Sequence, residues 1–407
     1  MRIALISFHG CPVARLGEKD TGGMNVYVLN LARELGHLGH FVEVFTRYHD
    51  PSDPEIVKLD DRVSVVHIEA GPHNEEKAHL PTHVDSFVNK VRRYASYNSI
   101  NYDIVHSNYW LSGLTAVTLS DLWNVPHVAT FHTLAKTKMR ARAGEEESRE
   151  RSDIERQIMD RATGILVLTD VERQDIVNLY QVNGDKIQVI SGGVDTNTFY
   201  QIPKEEAKDS LGFLNPNKKT ILYVGRIEPI KGLDVLLDAI KILKESQEVQ
   251  LVIVGGSLSG DTNLDKLKGQ AENLGISQDV FFTGSLDQAK LKNYYSAADV
   301  FVLPSHYESF GLVALEAMAC GTPVIASRVG GISSFVQDGA DGYLVPWRCP
   351  EPFSDRIEVI LNNDSLREYM GHSAKKKAHS LNWEKIAHRV SEYYCYVSQC
   401  DSLDQAV

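Results

Sequence analysis

Features that mark secreted and membrane proteins are scarce in this sequence of 407 residues. Its five cysteines are scattered and odd in number, which does not suit a disulfide framework and fits a reducing compartment. No run approaches about 18 uninterrupted apolar residues, so no membrane-spanning helix is expected. The apolar run near the start is shorter than the core of a signal peptide. We therefore predict a cytoplasmic protein that is not inserted in a membrane.

An excess of positive charge is also missing. The formal net charge is −12 at pH 7, and such a charge opposes non-specific attraction to nucleic acid or anionic lipid. We expect no nucleic-acid partner. Any site for a phosphate group must then be built from a few local cations.

Several familiar cofactor and catalytic motifs are absent as well. The chain lacks the G-x-G-x-x-G dinucleotide fingerprint, the G-K-[ST] phosphate loop and the H-E-x-x-H and C-x-x-C metal patterns. It also lacks the G-x-S-x-G elbow and a D-x-D carboxylate pair for a divalent metal. We therefore predict no metal ligands and no obligatory cofactor. Phosphate groups are expected to be held by backbone amides and cations.

What the sequence does contain is a regular alternation of short apolar runs and longer amphipathic stretches. The runs are uniformly apolar, which is typical of parallel strands covered on both faces. Strands are predicted at 3–7, 42–46, 63–68, 104–106, 127–131, 165–168, 187–190, 220–224, 252–254, 280–283, 300–303, 324–326 and 343–345. Helices are predicted at 25–38, 111–122, 171–179, 233–245, 264–274, 288–297, 311–318 and, as one stretch, 364–398.

The alternation pauses once, over residues 196–219, where turn-forming residues replace the apolar period. We therefore predict an α/β fold of two doubly wound, Rossmann-like domains that face a central cleft. The first domain is assigned residues 1–200 and the second residues 201–385. Residues 386–407 are predicted to form a C-terminal helix that packs back on the first domain. Functional residues are expected in loops that follow strands, because open parallel sheets bind ligands at that edge.

Two of these loops carry groups suited to a diphosphate. Gly22 and Gly23 stand directly before a helix, whose N-terminal amides attract anions. An ordinary strand–helix turn explains this pair equally well. In the later half, Arg226 and Lys231 follow a strand and precede a helix. A guanidinium and an ammonium group together suit a diphosphate, although a solvated loop with two surface cations is the simpler alternative.

A third loop combines carboxylates with a helix start. Glu308 follows a strand, and Gly311 and Leu312 would offer free amides where the next helix begins. Glu316 lies about two turns into that helix, among apolar residues. A carboxylate there is costly to bury unless it binds hydroxyl groups, such as a ribose diol. Pairing with a buried arginine is the competing structural explanation.

Together the E-x7-E element, the G-R-x-x-x-x-K-G segment and the early G-G-M-N-V-Y loop resemble glycosyltransferase family 4, and they occur in the family's order. The resemblance covers nearly the whole chain. It implies a GT-B fold and a retaining enzyme that uses a nucleotide sugar, with UDP-GlcNAc or UDP-glucose expected first. The inositol 3-phosphate branch of the family is the nearest likeness and the sucrose-phosphate branch is second. Both branches imply a small phosphorylated acceptor.

The resemblance also implies roles for individual residues. Four of them would serve catalysis: His132, Arg226, Lys231 and Glu308. The donor would be bound by Gly23, Arg226, Lys231, Leu286, Glu308, Gly311, Leu312 and Glu316. The acceptor phosphate would be bound by Lys77, Tyr109, Thr133 and Arg151, and the acceptor hydroxyls by His9 and Asn25.

Most of these residues have an ordinary structural explanation too. Lys77 and Arg151 could be solvated surface charges, Tyr109 a core residue and Thr133 a helix cap. Arg151 is the least specific, because it lies in a mixed charge run that suits an exposed helix face. His132 could bond only to neighbouring backbone.

The sequence leaves alternatives open. Residues 10–17 differ from the pattern expected in the inositol-phosphate branch, so fructose 6-phosphate remains a rival acceptor. A nucleotide-sugar binding protein without turnover and a sugar-phosphate epimerase of similar architecture are the other candidates. Tyr393, Tyr394 and Tyr396 near the C-terminus could be packing residues or the interface of a homodimer.

Overall fold

The structure of the protein is a computed structural model, which describes residues 1–14, 21–141, 147–258, 260–346 and 349–404, with side chains up to residue 398. The chain forms two compact units. The first unit extends to Gly192 and also includes the last helix, from Trp383 onward. The second unit extends from Gly193 to Asn382.

The strands are β1 (Arg2–Ile6), β2 (Phe41–Arg47), β3 (Ile56–Lys58), β4 (Val63–Ile68), β5 (Ile104–Asn108), β6 (His127–Thr130), β7 (Gly164–Val167), β8 (Ile187–Val189), β9 (Lys219–Val224), β10 (Val249–Val254), β11 (Val280–Gly284), β12 (Val300–Leu303), β13 (Val324–Ser327) and β14 (Gly342–Val345). The α-helices are α1 (Gly23–His37), α2 (Val84–Tyr97), α3 (Trp110–Trp123), α4 (Ala135–Ala141), α5 (Arg149–Arg161), α6 (Asp170–Tyr180), α7 (Lys204–Leu211), α8 (Leu233–Leu243), α9 (Thr262–Asn273), α10 (Gln288–Ala297), α11 (Leu312–Ala319), α12 (Pro350–Leu361), α13 (Asp364–Ser380) and α14 (Trp383–Asp404).

The first unit is built on a sheet in the order β3-β4-β2-β1-β5-β6-β7-β8. All its pairings are parallel except that of the short strand β3 with β4. The central strands are buried from end to end, as β5 is, because helices cover both faces. The chain order reverses between β1 and β5, so the loops after these two strands meet at the carboxyl edge.

The second unit is built on a parallel sheet in the order β11-β10-β9-β12-β13-β14. Its helices are amphipathic: α8 buries Leu233, Leu236, Leu237, Ile240 and Leu243, which recur every three or four residues. Here the chain order reverses between β9 and β12. Ligands of open α/β sheets bind at such a reversal, and the loops after β9 and β12 are those that contain Arg226 and Glu308.

Two predicted boundaries, the division between the units and the start of the C-terminal helix, differ from those in the structure. The division falls after Gly192 rather than after residue 200, because Phe199 is buried against Tyr295 of the second unit, with ring centroids 5.9 Å apart. The last helix begins at Trp383 rather than at residue 386 and buries Trp383 and Val390 in the first unit. Helix α14 therefore packs on the first unit from its first residue onward.

Three expectations about secondary structure were wrong in detail. The predicted stretch 364–398 is two helices, because the backbone of Leu381 accepts a hydrogen bond from Val194, 2.9 Å away, between α13 and α14. The segment 196–219 contains the helix α7, whose surface is mostly polar. Strand β3 and helices α2, α4, α5 and α12 have no counterpart in the prediction.

None of the described helices is both long enough and apolar enough to cross a membrane.

Candidate active site

In the second unit, the loops after β9 and β12 approach each other closely. Gly232 takes a left-handed conformation, with φ of 67°. A Cβ atom at this position would lie 2.2 Å from the Pro304 carbonyl oxygen, so only glycine permits this approach. The contact places Lys231, at the end of one loop, beside the other loop.

Lys231 and Glu308 form an ion pair at this reversal. Lys231 Nζ lies 2.7 Å from Glu308 Oε2, and both side chains are largely shielded from solvent. Arg226 is placed differently: its side chain is 54 % exposed and its Nη1 lies 2.7 Å from Glu228 Oε1. The Tyr223 hydroxyl donates to the Arg226 carbonyl at 2.9 Å, which holds the loop backbone. Lys231 is thus held in place by its ion pair, whereas the exposed Arg226 side chain can reorient toward an anion.

The loop after β12 ends at a helix N-terminus. Gly311 takes a left-handed conformation, with φ of 98°, and α11 begins at Leu312. The first amides of a helix lack intrahelical acceptors and attract negative charge. Ser305 Oγ in the same loop is buried without a hydrogen-bond partner among the described residues. This loop therefore presents donors for a phosphate or a sugar hydroxyl.

Glu316 is buried within α11. The Tyr295 hydroxyl donates to its Oε2 at 2.8 Å, and the Gln288 amide donates to its Oε1 at 3.1 Å. Burial raises the pKa of the carboxyl from 4.5 to about 7, against the lowering effect of those two donors. The hydrogen-bond partners described for Glu316 are both neutral, so they do not include the buried arginine that was the competing explanation for this carboxylate. Leu286 precedes Gln288 and is partly buried between β11 and α10.

Replacing Glu316 by glutamine should have opposite effects on stability and on donor binding. Because the pKa of Glu316 is raised from 4.5 to about 7, the wild-type carboxyl destabilises the fold increasingly as pH rises through that window. We compare the free energy of unfolding of Glu316→Gln with that of the wild type. This difference should be up to about 3 kcal/mol more favourable to the variant near pH 8 than at low pH. The family resemblance implies that this carboxylate accepts hydrogen bonds from hydroxyl groups of the donor, so replacement by an amide should lower donor affinity about 10-fold.

Urea unfolding of both proteins at several pH values, together with donor titration, measures the two effects. Glu358→Gln on α12, whose carboxylate lies on an exposed contact with Ser246, is the matched control. A pH-independent difference in stability, or unchanged donor affinity, would contradict the assignment.

In the first unit, Tyr109 occupies an unusual backbone conformation at the reversal between β1 and β5. It follows β5 directly and has φ of 82° and ψ of 157°, a region that is essentially restricted to glycine. Such strain persists where surrounding structure enforces it, and it clusters at functional sites. His9, which follows β1, lies with its ring centroid 4.7 Å from that of Tyr109.

Two cations lie against the Tyr109 ring. Lys77 Nζ is 4.6 Å from the ring centroid and Arg151 Cζ is 5.0 Å from it. The Arg151 guanidinium also donates to Thr133, at 3.0 Å to the carbonyl oxygen and 3.2 Å to the hydroxyl. The structure therefore brings together Lys77, Tyr109, Thr133 and Arg151. We call these four residues the tyrosine-centred cation cluster.

Arg151 does not lie on an exposed helix face. It is 4 % exposed, and its guanidinium is within 2.8 Å of Glu147 and of Glu155. Burial lowers the pKa of this guanidinium, but Tyr109, Glu155 and Glu147 outweigh that effect and raise it. Arg151 is thus a permanently charged group in a fixed position, and the expectation of a solvated face does not hold for it.

The two predicted histidines are neutral near pH 7. Burial lowers the pKa of His132 to about 3. Burial, and then the charges of Lys77 and Arg151, lower the pKa of His9 well below its usual value. His132 has φ of 60°, and its Nε2 lies 2.9 Å from Asn108 Oδ1. If Nε2 carries the proton, Nδ1 is an acceptor suited to a hydroxyl group.

Gly23 and Asn25 lie at the start of α1. Gly23 is exposed as the first residue of the helix. Asn25 is buried, and its amide already bonds twice to backbone: Nδ2 donates to Cys11 O at 2.8 Å and Oδ1 accepts from Gly22 N at 3.0 Å. A contact with an acceptor would have to use the remaining hydrogen or lone pair of this amide.

Sequence reasoning missed the residues that position these groups. The buried Arg47 donates to Ala70 O at 2.5 Å and to Pro72 O at 2.6 Å, which fixes the backbone that leads to Lys77. Tyr295 and Gln288 hold Glu316 in the same way. An arginine at the end of an otherwise apolar strand was the available signal for Arg47. No pattern in the sequence singles out the other two.

The two Rossmann-like units, together with the family matches that follow, place the chain among the nucleotide-sugar-dependent transferases of the GT-B fold. Residues 21–198 match the model described as "Glycosyltransferase Family 4", and residues 204–377 match the one described as "Glycosyl transferases group 1". The chain belongs to glycosyltransferase family 4.

Full-length relatives agree with this assignment. The chain is 38 % identical over 403 residues to a D-inositol 3-phosphate glycosyltransferase of Corynebacterium aurimucosum, covering 97 % of this chain and 96 % of the relative. It is 39 % identical to the D-inositol 3-phosphate glycosyltransferase of Corynebacterium jeikeium, with the same coverage. Among solved structures, sucrose-phosphate synthase from Thermosynechococcus elongatus aligns with TM-score 0.91 and 32 % identity over 98 % of this chain and 99 % of that one.

Proposed function

We propose that this enzyme transfers a sugar from a UDP-sugar, UDP-GlcNAc or UDP-glucose first, to a hydroxyl of a small phosphorylated acceptor, with inositol 3-phosphate as the leading candidate. The observation that carries the proposal is the tyrosine-centred cation cluster, where Lys77 and Arg151 both lie within about 5 Å of one aromatic ring. The names of the relatives at 38–39 % identity support the choice of acceptor.

The cluster is suited to a phosphate monoester. A guanidinium already held by Glu147, Glu155 and Thr133 pays little ordering entropy when it binds an anion. Lys77 is exposed and supplies a mobile second charge, and the Thr133 and Tyr109 hydroxyls can donate to further phosphate oxygens. His9 lies beside the Tyr109 ring and Asn25 lies in the first turn of α1, and both would contact the acceptor's hydroxyl groups.

The second unit would bind the donor. We assign the diphosphate to Arg226, Lys231 and the helix-start amides at Gly311 and Leu312, the ribose to Glu316, and the sugar to Glu308. Gly23 at the start of α1 would add amide donors from the first unit, and Leu286 would contact the nucleoside.

The chemistry follows from charge development. When the bond between the anomeric carbon and the diphosphate breaks, negative charge grows on the leaving phosphate and positive charge on the sugar ring. Lys231 and the helix-start amides stabilise the first charge, and no metal is needed for it. We propose retention by front-face substitution, in which the departing phosphate takes the proton of the acceptor hydroxyl. Neutral His132 would accept a hydrogen bond from the donor sugar.

Fructose 6-phosphate is the second candidate acceptor, favoured by the likeness to sucrose-phosphate synthase at 32 % identity. Both acceptors carry a phosphate, so the cation cluster serves either. The deciding experiment is a matrix of UDP-, GDP- and ADP-sugars against inositol 3-phosphate, fructose 6-phosphate and 3-phosphoglycerate, with free nucleotide as readout.

Turnover confined to a UDP-sugar with inositol 3-phosphate would support the proposal. Turnover with fructose 6-phosphate alone would establish the second candidate, and nucleotide release with no acceptor dependence would overturn both. The active pair should then be assayed with and without added Mg²⁺, which should change kcat less than about twofold if cations and amides suffice. Anomeric configuration of the product tests retention.

Replacing Lys77 by alanine should raise KM for a phosphorylated acceptor about 10- to 100-fold, because one charge-assisted contact to the phosphate is lost. The KM for the donor should stay unchanged, since Lys77 belongs to the acceptor site. Initial rates with inositol 3-phosphate and with unphosphorylated inositol measure the selectivity. Lys58→Ala, at an exposed lysine of β3 in the same unit, is the control. Equal effects on the two acceptors would count against a phosphate contact.

A further inference from the structure

A cluster of one thiol and two imidazoles lies in the first unit, and none of its three side chains is among those assigned above. The side chains are Cys11, His49 and His67, and each offers one ligand atom within 4.8 Å of the other two. Cys11 follows β1, His49 follows β2, and His67 lies on β4. These strands are neighbours in the sheet order β4-β2-β1. Parallel pairing therefore brings together three residues that are distant in sequence.

The spacing of the Cys11 and His67 ligand atoms suits a tetrahedral metal ion, and the His49 ligand atom lies within 4.8 Å of both. Cys11 Sγ and His67 Nε2 are 3.3 Å apart. A thiolate and an imidazole bound to one zinc ion, at bond lengths of about 2.3 and 2.0 Å, lie about 3.5 Å apart. The cluster therefore needs only a few tenths of an ångström of adjustment at this pair. A thiol–imidazole hydrogen bond would explain these two residues but not the presence of His49.

Both imidazoles have an oxygen beside their Nδ1 atom. His67 Nδ1 lies 2.7 Å from the Pro54 carbonyl oxygen. His49 Nδ1 lies 2.7 Å from Asp53 Oδ2, a close contact whose angles fall outside hydrogen-bond geometry. That carboxylate oxygen accepts from His49 N at 3.1 Å and Asp50 N at 3.0 Å. A carbonyl or carboxylate that accepts from one ring nitrogen is the usual way in which a metal-binding histidine is oriented. His67 has this arrangement, and Asp53 is placed to supply it to His49.

We propose that Cys11, His49 and His67 form a binding site for a borderline-soft divalent metal of the zinc class, with Asp53 as a positioning residue. Sulfur and imidazole nitrogen select such metals over Mg²⁺ and Ca²⁺, which prefer oxygen ligands. Cys11 and His67 are buried, whereas the His49 side chain is 33 % exposed. Solvent can therefore enter on the His49 side and supply a fourth ligand.

The metal would stabilise the described segment around Cys11 that follows β1. Cys11 O accepts from Asn25 Nδ2, 2.8 Å away, so the backbone beside the thiol is tied to the first turn of α1. A metal that joins Cys11 to His49 and His67 would fix this segment to the ends of β2 and β4. Its role would be structural, since none of the three side chains is assigned to donor or acceptor.

The test is binding of Co²⁺ and Zn²⁺ to the full-length protein after dialysis against a chelator. We expect one equivalent of Co²⁺ per chain, with a thiolate-to-cobalt charge-transfer band and the intense visible bands of tetrahedral coordination, and displacement by one equivalent of Zn²⁺. Zinc should raise the thermal midpoint, because binding to the folded state alone stabilises it. Excess Mg²⁺ should do neither.

Variants assign the ligands. Cys11→Ser should abolish the charge-transfer band, His49→Gln should weaken Co²⁺ binding by at least about 100-fold, and Asp53→Asn by about 10- to 100-fold. Cys320→Ser, at a buried cysteine of the second unit, should behave as wild type. His49 is at a partly exposed position, so its variant remains informative if Cys11→Ser fails to fold.

Three outcomes would overturn the proposal: no stoichiometric binding, a cobalt spectrum without the thiolate band, or a band that persists in Cys11→Ser. None of these readouts involves turnover, so they are independent of the proposed glycosyl transfer.

Discussion

Replacing Lys231 by alanine is expected to lower kcat by about 10²- to 10³-fold, with a smaller change in donor KM. In the proposed mechanism this ammonium group faces the phosphate on which negative charge develops as the bond to the anomeric carbon breaks, and removal of one such fixed contact typically costs that factor. The substitution also leaves Glu308, 2.7 Å away in the wild type, without its cation. Steady-state and single-turnover rates with the active donor–acceptor pair measure the effect.

The controls separate charge loss from damage to the fold. Lys241→Ala removes an exposed lysine from α8, the helix that follows Lys231, and should turn over as wild type. Arg226→Ala should also reduce kcat severely, although its side chain is half exposed and pairs with Glu228. Wild-type turnover by both Lys231→Ala and Arg226→Ala would remove this cation pair from the mechanism.

Replacing Arg151 by alanine should destabilise the protein by about 3–5 kcal/mol, because it leaves the buried Glu155 carboxylate without its cationic partner. Glu155 is fully buried, and its Oε1 lies 2.8 Å from Arg151 Nε. The same substitution removes the fixed cation beside Tyr109 and so should weaken binding of a phosphorylated acceptor. The midpoint of urea unfolding and acceptor titration at low temperature measure these two effects.

Two further variants test the cause. Arg149→Ala changes an exposed arginine in the first turn of the same helix and should shift stability by less than about 0.5 kcal/mol. Arg151→Lys retains the charge but loses the forked guanidinium that bonds Glu147, Glu155 and Thr133. We therefore expect its stability to lie between that of Arg151→Ala and that of the wild type. A stability of Arg151→Ala equal to that of Arg149→Ala would show that the buried pair contributes little.

Elements with continuous apolar runs were predictable from sequence. Strand β12, which is buried at every residue, and helix α10 both have the predicted bounds, because burial on both faces or on one stripe leaves a direct record in residue type. Helix α5 was missed for the opposite reason. Its buried face contains Arg151, Ser152 and Glu155, so polar residues occupy the positions where an apolar period would be sought.

The candidate site was likewise predictable from the sequence only in part. The loops that hold Arg226, Lys231 and Glu308 were located from sequence, because each follows an apolar strand and precedes a helix. The pairing of Lys231 with Glu308, the two neutral donors on Glu316 and the role of Arg47 required coordinates. These depend on which strands are neighbours and on how closely two loops approach.

The sequence by itself determined two parallel α/β units, the loops at their strand ends and membership in a glycosyltransferase family, since local residue patterns encode local structure and motif order. The family resemblance grouped Lys77, Tyr109, Thr133 and Arg151, but only the tertiary structure showed that Lys77 and Arg151 lie against the Tyr109 ring. Only the tertiary structure brought Cys11, His49 and His67 together. The physical reason is strand order. A parallel sheet places the carboxyl ends of its strands side by side in an order that periodicity along the chain does not contain.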